Sequence, residues 1–376
     1  MHAHHRLDIL HHFAALQDPR DSRYITHVLG DILTIALCAL LSGAKSFEDV
    51  AAFGRAKQTW LRSLGLTLPN GIPAHDTFRD VFCRLATALF QDCFTAWINA
   101  VCARWGVRHV AIDGKAQRGS RGLGGTCLHL VSAWVGANSL TLGQVAVEDK
   151  SNEITAIPQL LHLLELEGAL VSIDALGCQK DIAQAIRDTQ ADYLLQVKGN
   201  QPTLQADLIA SFEAAFAADY AGYTHDLWVS HERGHGREEE RVCSVLYDLE
   251  GLSTRREWVD LQAIVRVART RWLGDQETFE VSYYLSSRRG SAQELGGAAR
   301  GHWGIENGLH WVLDVIFRED DSHLKDRNAA ENLGLLRRVV TAVIGQDNSK
   351  GSVSGKLLCA AWNDEFRLHL LNLLSD

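Results

Sequence analysis

Val110-Ala111-Ile112-Asp113-Gly114-Lys115 and Val171-Ser172-Ile173-Asp174-Ala175-Leu176-Gly177 are the two stretches on which the fold turns. Each is a short run dominated by β-branched apolar residues, as buried strands are, and each meets an aspartate followed by a small residue. Between them, Leu128 to Val135 and Leu140 to Val147 read as two strands about the turn signal Ala137-Asn138. An amphipathic helix follows from about Glu153 to Leu166. Past Asp174 come a helix, Gln179 to Asp188, and a strand, Tyr193 to Val197, closed by Lys198-Gly199-Asn200. The order βββαβαβ predicts an α/β class with a mixed sheet flanked by helices.

Among mixed-sheet folds this order is that of the ribonuclease H-like core. Upstream, from about Leu29 to Val101, apolar residues recur at three- and four-residue spacing, so an all-helical domain is expected. Asp76-Thr77 caps a helix starting near Phe78, after the turn signals Pro69-Asn70-Gly71 and Pro73. This domain carries Arg55, Lys57, Arg62, Arg79 and Arg84, and two uses remain open: a DNA-recognition module, or a cap packed on the core. Downstream, Val242–Tyr247, Leu261–Val267 and Phe279–Leu285 read as strands of an inserted β subdomain. Helices return near Ala298, with C-terminal helices expected at Asn332–Ile344 and Lys356–Leu374. The expected organisation is a helical domain at 1–103, a catalytic domain at 104–345 with its β insertion at about 205–295, and a helical tail at 346–376.

Composition sets the class. The chain has 376 residues, 46% hydrophobic and 22% charged, with only 5 Pro, which excludes bulk disorder and collagen-like repeats. The longest apolar run, Ile32 to Leu41, is far short of the ~20 residues that cross a bilayer and reads as a buried helix. The opening MHAHHRLD lacks the basic-then-apolar layout of a secretory signal, so a cytoplasmic protein is expected. Eight scattered cysteines without a CxxC pair argue for reduced thiols. A net charge of -9 disfavours global attraction to nucleic acid. Locally, though, Arg104, Arg108, Lys115, Arg118 and Arg121 face one acid, Asp113, a surplus of 5 - 1 = +4.

The chemistry rests on carboxylates. Residues at the carboxyl ends of neighbouring parallel strands line a ligand crevice, so Asp113 and Asp174 are expected to converge; the bland alternative is that each ends a strand or caps the next helix. Glu306 is the candidate third acid: on a helix, His302, Glu306 and His310 form one polar stripe beside Ile305, Leu309, Val312 and Ile316. The stripe lacks the HExxH order of a zinc helix. Three carboxylates without a thiolate are a ligand set for Mg²⁺ or Mn²⁺. A pair of such ions suits in-line displacement at phosphorus.

At these residues the sequence resembles a known family. AIDGKAQRGS (111–120), VEDKSNEITAIPQLL (147–161), VSIDALGCQKDIAQAI (171–186), LLQVKGNQPTL (194–204), GHGREEER (234–241) and HWGIENGLHWVLDVIFRED (302–320) resemble the DDE transposases of bacterial insertion sequences, in the H-repeat-associated branch. LGDILTIALCALLSGAKSFEDVAAFGRAKQTWL and GIPAHDTF resemble that branch's helical N-terminal domain. The resemblance implies that Asp113, Asp174 and Glu306 are the metal-binding catalytic triad. It further implies binding of terminal inverted repeats, cleavage, and joining of the freed 3′-hydroxyl to target DNA. Where the wider superfamily has a Tyr, an Arg and a Lys around the Glu, this chain has Ala299, His302 and Leu313, so those three roles have no counterpart.

Lys115, Arg118, Lys198, Asn200 and Gln201 follow strand ends and are expected to contact phosphates, with His235 and Arg237 holding a cleaved end. Trp228, Trp258 and Trp272 offer faces for an unpaired base, a contact worth ~1–3 kcal/mol. Because two DNA ends must be paired, a homodimer on DNA is expected. Two other readings stay open: a DNA-binding copy that no longer cuts, and a ribonuclease H-like nuclease without strand transfer.

Overall fold

The computed structural model describes residues 13, 16–105, 108–120, 127–147, 153–234 and 236–373. The chain forms two compact units, one of Met1–Gly106, Gly114–Asn152 and Glu306–Asp376, the other of Val107–Asp113 and Glu153–Ile305.

The first unit starts with helices α1 (Leu29–Leu41), α2 (Phe47–Ala56), α3 (Gln58–Ser63), α4 (His75–Arg84) and α5 (Thr87–Trp105). Every α1 residue but Gly30 is buried, as its unbroken apolar run requires. Ser46 and Asp49 form a capping box at the start of α2, each side chain bonding the other's backbone N–H. Strand β1 (His109–Gln117) contributes its second half, followed by β2 (Leu128–Val135) and β3 (Leu140–Val147), an antiparallel hairpin about the turn Gly136–Asn138.

Beyond the second unit's helices α6 (Glu153–His162), α7 (Lys180–Asp188), α8 (Pro202–Ala217) and α9 (Ala292–His302), the chain re-enters the first unit for its last helices. These are α10 (Arg327–Gln346), α11 (Val353–Trp362) and α12 (Asp364–Asn372). Helix α10 is buried along most of its length, and Asn332 Nδ2 donates to the Phe82 and Leu85 carbonyls, satisfying the open end of α4. The expected single helix over Lys356–Leu374 is split at Asn363, whose side chain accepts from Glu365 and Phe366 N–H and so starts a new helix.

The second unit's sheet uses the first half of β1 with β4 (Leu170–Ile173), β5 (Asp192–Val197), β6 (His225–Gly234), β7 (Arg237–Leu246), β8 (Ala263–Leu273) and β9 (Gln276–Ser286). Its order is β1-β4-β5-β9-β8-β7-β6. The β1, β4 and β5 strands run parallel, and β9 joins β5 antiparallel through Leu194↔Ser286 to Val197↔Tyr283. The three strands read as a separate subdomain, together with β6, therefore extend the same sheet. Within the expected β stretch lies helix α8, and α9 starts at its end. Helix α9 lies on this sheet through Leu295, Ala298 and Ala299 against Leu170, Leu194, Cys243 and Val265. A Cβ on Gly296 would stand 2.9 Å from that of Cys243, so only glycine permits this approach.

Candidate active site

In the second unit, β1 and β4 are in parallel register from His109↔Leu170 to Ile112↔Ile173. Asp113 and Asp174 are the next residue on each strand, and strand alternation turns both to the face on which Ala111 and Ser172 lie. Asp174 does cap as well: its Oδ1 accepts from Leu176 N at 3.0 Å and Gly177 N at 3.4 Å, fixing the carboxylate. Gly177 is demanded by packing, since a Cβ there would fall 2.3 Å from Ile173 Cγ2. Asn200 Nδ2 donates to Ala175 O at 2.6 Å and Gln201 Nε2 to Cys178 O at 3.0 Å, so both amides brace the turn that Asp174 begins. Lys198 is exposed just past the end of β5. This parallel edge thus presents Asp113, Asp174 and a lysine in strand order.

Further back on the same two strands, at Ser172 and His109, a polar chain joins three elements. His109 Nε2 lies 2.8 Å from Ser172 Oγ, which lies 3.1 Å from His302 Nδ1 at the end of α9. Burial, then the neighbouring His302, pulls His109 down to about 4; burial likewise lowers His302, against the opposing pull of Asp174. Both rings are neutral near pH 7. Gly301 admits the contact, because its Cβ would stand 3.1 Å from the His109 ring. His109 and Ser172 were not singled out in the sequence, although a polar residue inside each apolar strand was the available signal.

Glu306 belongs to the first unit and is exposed. The expected regular helix through His302, Glu306 and His310 is not what forms. Helix α9 ends at His302, which is buried, and π-helical turns occupy Glu306–His310 and Val312–Ile316. A π turn adds a residue per loop, so the i, i+4, i+8 stripe does not hold; such turns are rare and concentrate at functional sites. Gly308 admits Trp134 of β2, whose ring would stand 2.5 Å from a Cβ.

Lys115 is not placed as a phosphate contact. It lies inside β1, 8% exposed, with Nζ 2.7 Å from Asp314 Oδ1, 3.4 Å from Glu319 Oε2 and 3.6 Å from Asp320 Oδ1. Arg118 keeps an exposed side chain, while its backbone N–H donates to Asp320 Oδ1 at 2.9 Å. Arg237 is exposed at the start of β7, 3.9 Å from Glu239. His235 lies outside the described residues. Of the three tryptophans, Trp258 is buried at 3% exposure and Trp228 packs on the α9 core. Trp272 donates from Nε1 to Glu277 at 3.1 Å. Among the described residues, no group of three or more His, Cys, Asp or Glu is gathered to hold a metal ion. The donor set that the second unit's parallel edge offers is the aspartate pair.

The family described as "Transposase DDE domain" matches residues 104–342, and the model described as "DDE_Tnp_1-associated" matches 10–98. "Putative transposase YncI" of Escherichia coli O157:H7 is 37% identical over 363 residues, covering 94% of this chain and 92% of that protein. "H repeat-associated putative transposase YhhI" of Escherichia coli strain K12 is 35% identical over 378 residues, 96% of this chain and 97% of that protein. A piggyBac transposase synaptic complex with hairpin DNA, solved by cryo-electron microscopy, aligns at TM-score 0.44 and 10% identity, over 98% of this chain and 78% of that one. The chain belongs to the DDE transposases, in the branch of the H repeat-associated proteins. No described helix is long and apolar enough to cross a membrane.

Proposed function

We propose that this transposase binds the terminal inverted repeats of its element, cuts the phosphodiester and joins the freed 3′-hydroxyl to target DNA, using Asp113, Asp174 and Glu306 as its metal-binding acids. The observation that carries the reading is the register of β1 on β4, which sets two aspartates side by side past the last paired residues. Their oxygen-only donors suit a hard divalent cation such as Mg²⁺ or Mn²⁺. When bound there, the cation would supply activation of the attacking oxygen and stabilisation of the departing one. The parallel β1-β4-β5 order and the β2–β3 hairpin support the ribonuclease H-like reading of the core.

The chain's own parts divide the work. Oδ1 of Asp174 is held by two backbone N–H groups, which fixes the direction in which its carboxylate points. Asn200 and Gln201 hold the turn behind it. Exposed Lys198, Arg118 and Arg237 are the side chains available to DNA phosphates, contacts that position a duplex without reading its sequence. The working species is a homodimer on DNA, in the bacterial cytoplasm.

The test uses duplexes carrying the DNA that flanks the gene. Glu306→Gln is expected to abolish strand cleavage in Mg²⁺ while gel-shift binding is retained; cleavage at the parent rate would remove Glu306 from the reaction. Absence of any joined product from the parent protein would leave a nuclease without strand transfer.

A further inference from the structure

Helix α11, in the first unit, carries an apolar stripe that faces solvent. Leu357 and Ala360 are buried on its inner side, whereas Leu358 is 47% exposed and Trp362, one turn further on, 75% exposed. Apolar residues exposed singly are ordinary on a protein surface. These two instead border a cleft of about 380 Å³ lined by Gly351, Gly355, Cys359, Trp362 and Phe366, large enough for a small organic group. Glycine keeps the cleft open: a Cβ on Gly351 would meet nothing nearer than Lys356 Cγ at 3.8 Å. The stripe is therefore lopsided, with the small residues Gly351, Ser354 and Gly355 towards its start and the bulky Leu358 and Trp362 towards its end.

Charge is lopsided in the same way. Lys350 stands three residues before α11 begins and Glu365 three residues after it ends, and both are exposed. Neither has an ion-pair partner among the described residues, whereas the neighbouring cation and acid are engaged, Lys356 by Asp347 at 3.0 Å and Asp364 by Lys57 and Arg367.

We propose that this surface binds a second copy of the chain: two α11 helices cross antiparallel about a two-fold axis near Leu358. Each Trp362 enters the other copy's cleft, and each Lys350 faces the other copy's Glu365. A two-fold contact must be self-complementary, and the stripe meets that condition only in this orientation, bulky end on small end and cation on acid. A parallel pairing would set indole against indole and lysine against lysine. The inference rests on the homodimer reading above, names its surface, and places the contact in the protein before DNA is bound. Trp362 supplies the affinity, as tryptophans at interfaces do, while the exposed ion pairs chiefly set the orientation. A ten-residue helix covers little area, so the dimer is reversible, with a dissociation constant on the order of 1–100 µM.

The experiment is analytical ultracentrifugation of the full chain without DNA, over concentrations spanning that constant, where a reversible monomer–dimer equilibrium is expected. Trp362→Ala alters a largely exposed side chain, so the fold is kept, and should raise the dissociation constant at least about tenfold. Lys350→Glu and Glu365→Lys should each weaken the dimer several-fold. The double variant, which restores the pair with its polarity reversed, should recover most of that loss. Bismaleimidoethane should link two parent copies, and Cys359→Ser should abolish the product, because Cys359 is exposed beside the two-fold axis. A parent that stays monomeric, a dimer indifferent to Trp362→Ala, or a double charge variant weaker than both single ones overturns the proposal. Sizing the complex on a duplex of the flanking DNA separates the two levels. Two copies on DNA from a parent that is monomeric without it would remove this surface and leave the homodimer reading standing; a single copy on DNA would remove the homodimer reading.

Discussion

Glu319→Gln is the substitution that most directly tests the charge cluster of the first unit. The parent carboxylate is 0% exposed and meets Lys115 at 3.4 Å, Arg337 at 3.4 Å and Arg338 at 3.9 Å. At an effective dielectric of ~20, a single contact of ~3.4 Å is worth roughly 5 kcal/mol of gross attraction. Most of that is offset by taking the ions out of water. Breaking a buried pair by removing one partner therefore costs about 3–5 kcal/mol, because the other charges stay buried without compensation. Gln preserves the shape but leaves the guanidiniums of Arg337 and Arg338, 1% and 0% exposed, without the carboxylate that both of them meet. Lys115 retains Asp314 and Asp320, so the loss concentrates on the arginines. Urea unfolding followed by tryptophan fluorescence, reading the transition of the first unit, is expected to show a deficit of about 3–5 kcal/mol. The pH dependence has a definite sign. Burial by itself would raise the Glu319 carboxyl, but Arg338, Lys115 and Arg337 outweigh it and hold it below the ordinary glutamate value. A depressed carboxylate gives stability that is intact above the unfolded value of ~4.3 and lost as pH falls through the folded one. The gap between parent and Glu319→Gln should therefore be full at pH 7 and shrink in acid. A deficit under ~1 kcal/mol at pH 7, the worth of a surface pair, or a gap that stays constant into acid, would refute the reasoning.

Gly177→Ala should cost about 1–3 kcal/mol, since the new methyl collides with Ile173 and must move the turn on which the Asp174 carboxylate rests; parent-like stability and Mn²⁺ affinity together would contradict this. Ser172→Ala removes the hydroxyl between His109 and His302 and should destabilise by about 1–3 kcal/mol by leaving two imidazoles unpaired, measured by the same urea titration. In an NMR titration His109, pulled down by its burial, should titrate near 4. Its folded value lies below the unfolded ~6.5, so its contribution is present above that pH and erodes as pH falls towards the folded value; a midpoint near 6.5 would contradict the burial argument. Asn332→Leu strips the Phe82 and Leu85 carbonyls of their donor and should cost about 2–3 kcal/mol, with loss of helical signal from α4; an unchanged melt would count against this cap.

How much of this was legible in the sequence depends on whether local pattern or distant partners decided each element. The strands ending in Ile112 and Ile173 were plain, because a buried parallel strand must be apolar on both faces and few residue types qualify. Their pairing was inferable from the βαβ order, and with it the adjacency of the two aspartates. The capping box at Ser46 follows the same local logic, a side chain three residues from its partner. Strand β6 was harder to see, since its residues alternate only between partial and full exposure and offer no strong apolar stripe.

The π turns at Glu306 were illegible for a different reason. Nothing in ENGLHWVLDVI breaks the 3.6-residue period, and its apolar positions satisfy a regular helix well enough to support the stripe of His302, Glu306 and His310. What decides the local geometry stands elsewhere: Trp134 needing Gly308 beneath it, and Lys115 drawing Asp314 to β1. The same remoteness misdirected the reading of Lys115 itself. A lysine just after a strand-end aspartate looks like a phosphate ligand until the acids that surround it, about two hundred residues later, are placed around it. Local sequence fixes which groups are available for chemistry, whereas their commitment to a phosphate or to a buried carboxylate is settled by partners that no window of neighbouring residues contains. A cation beside a strand-end aspartate is therefore available to a phosphate only where it is exposed, as Lys198 and Arg118 are and Lys115 is not.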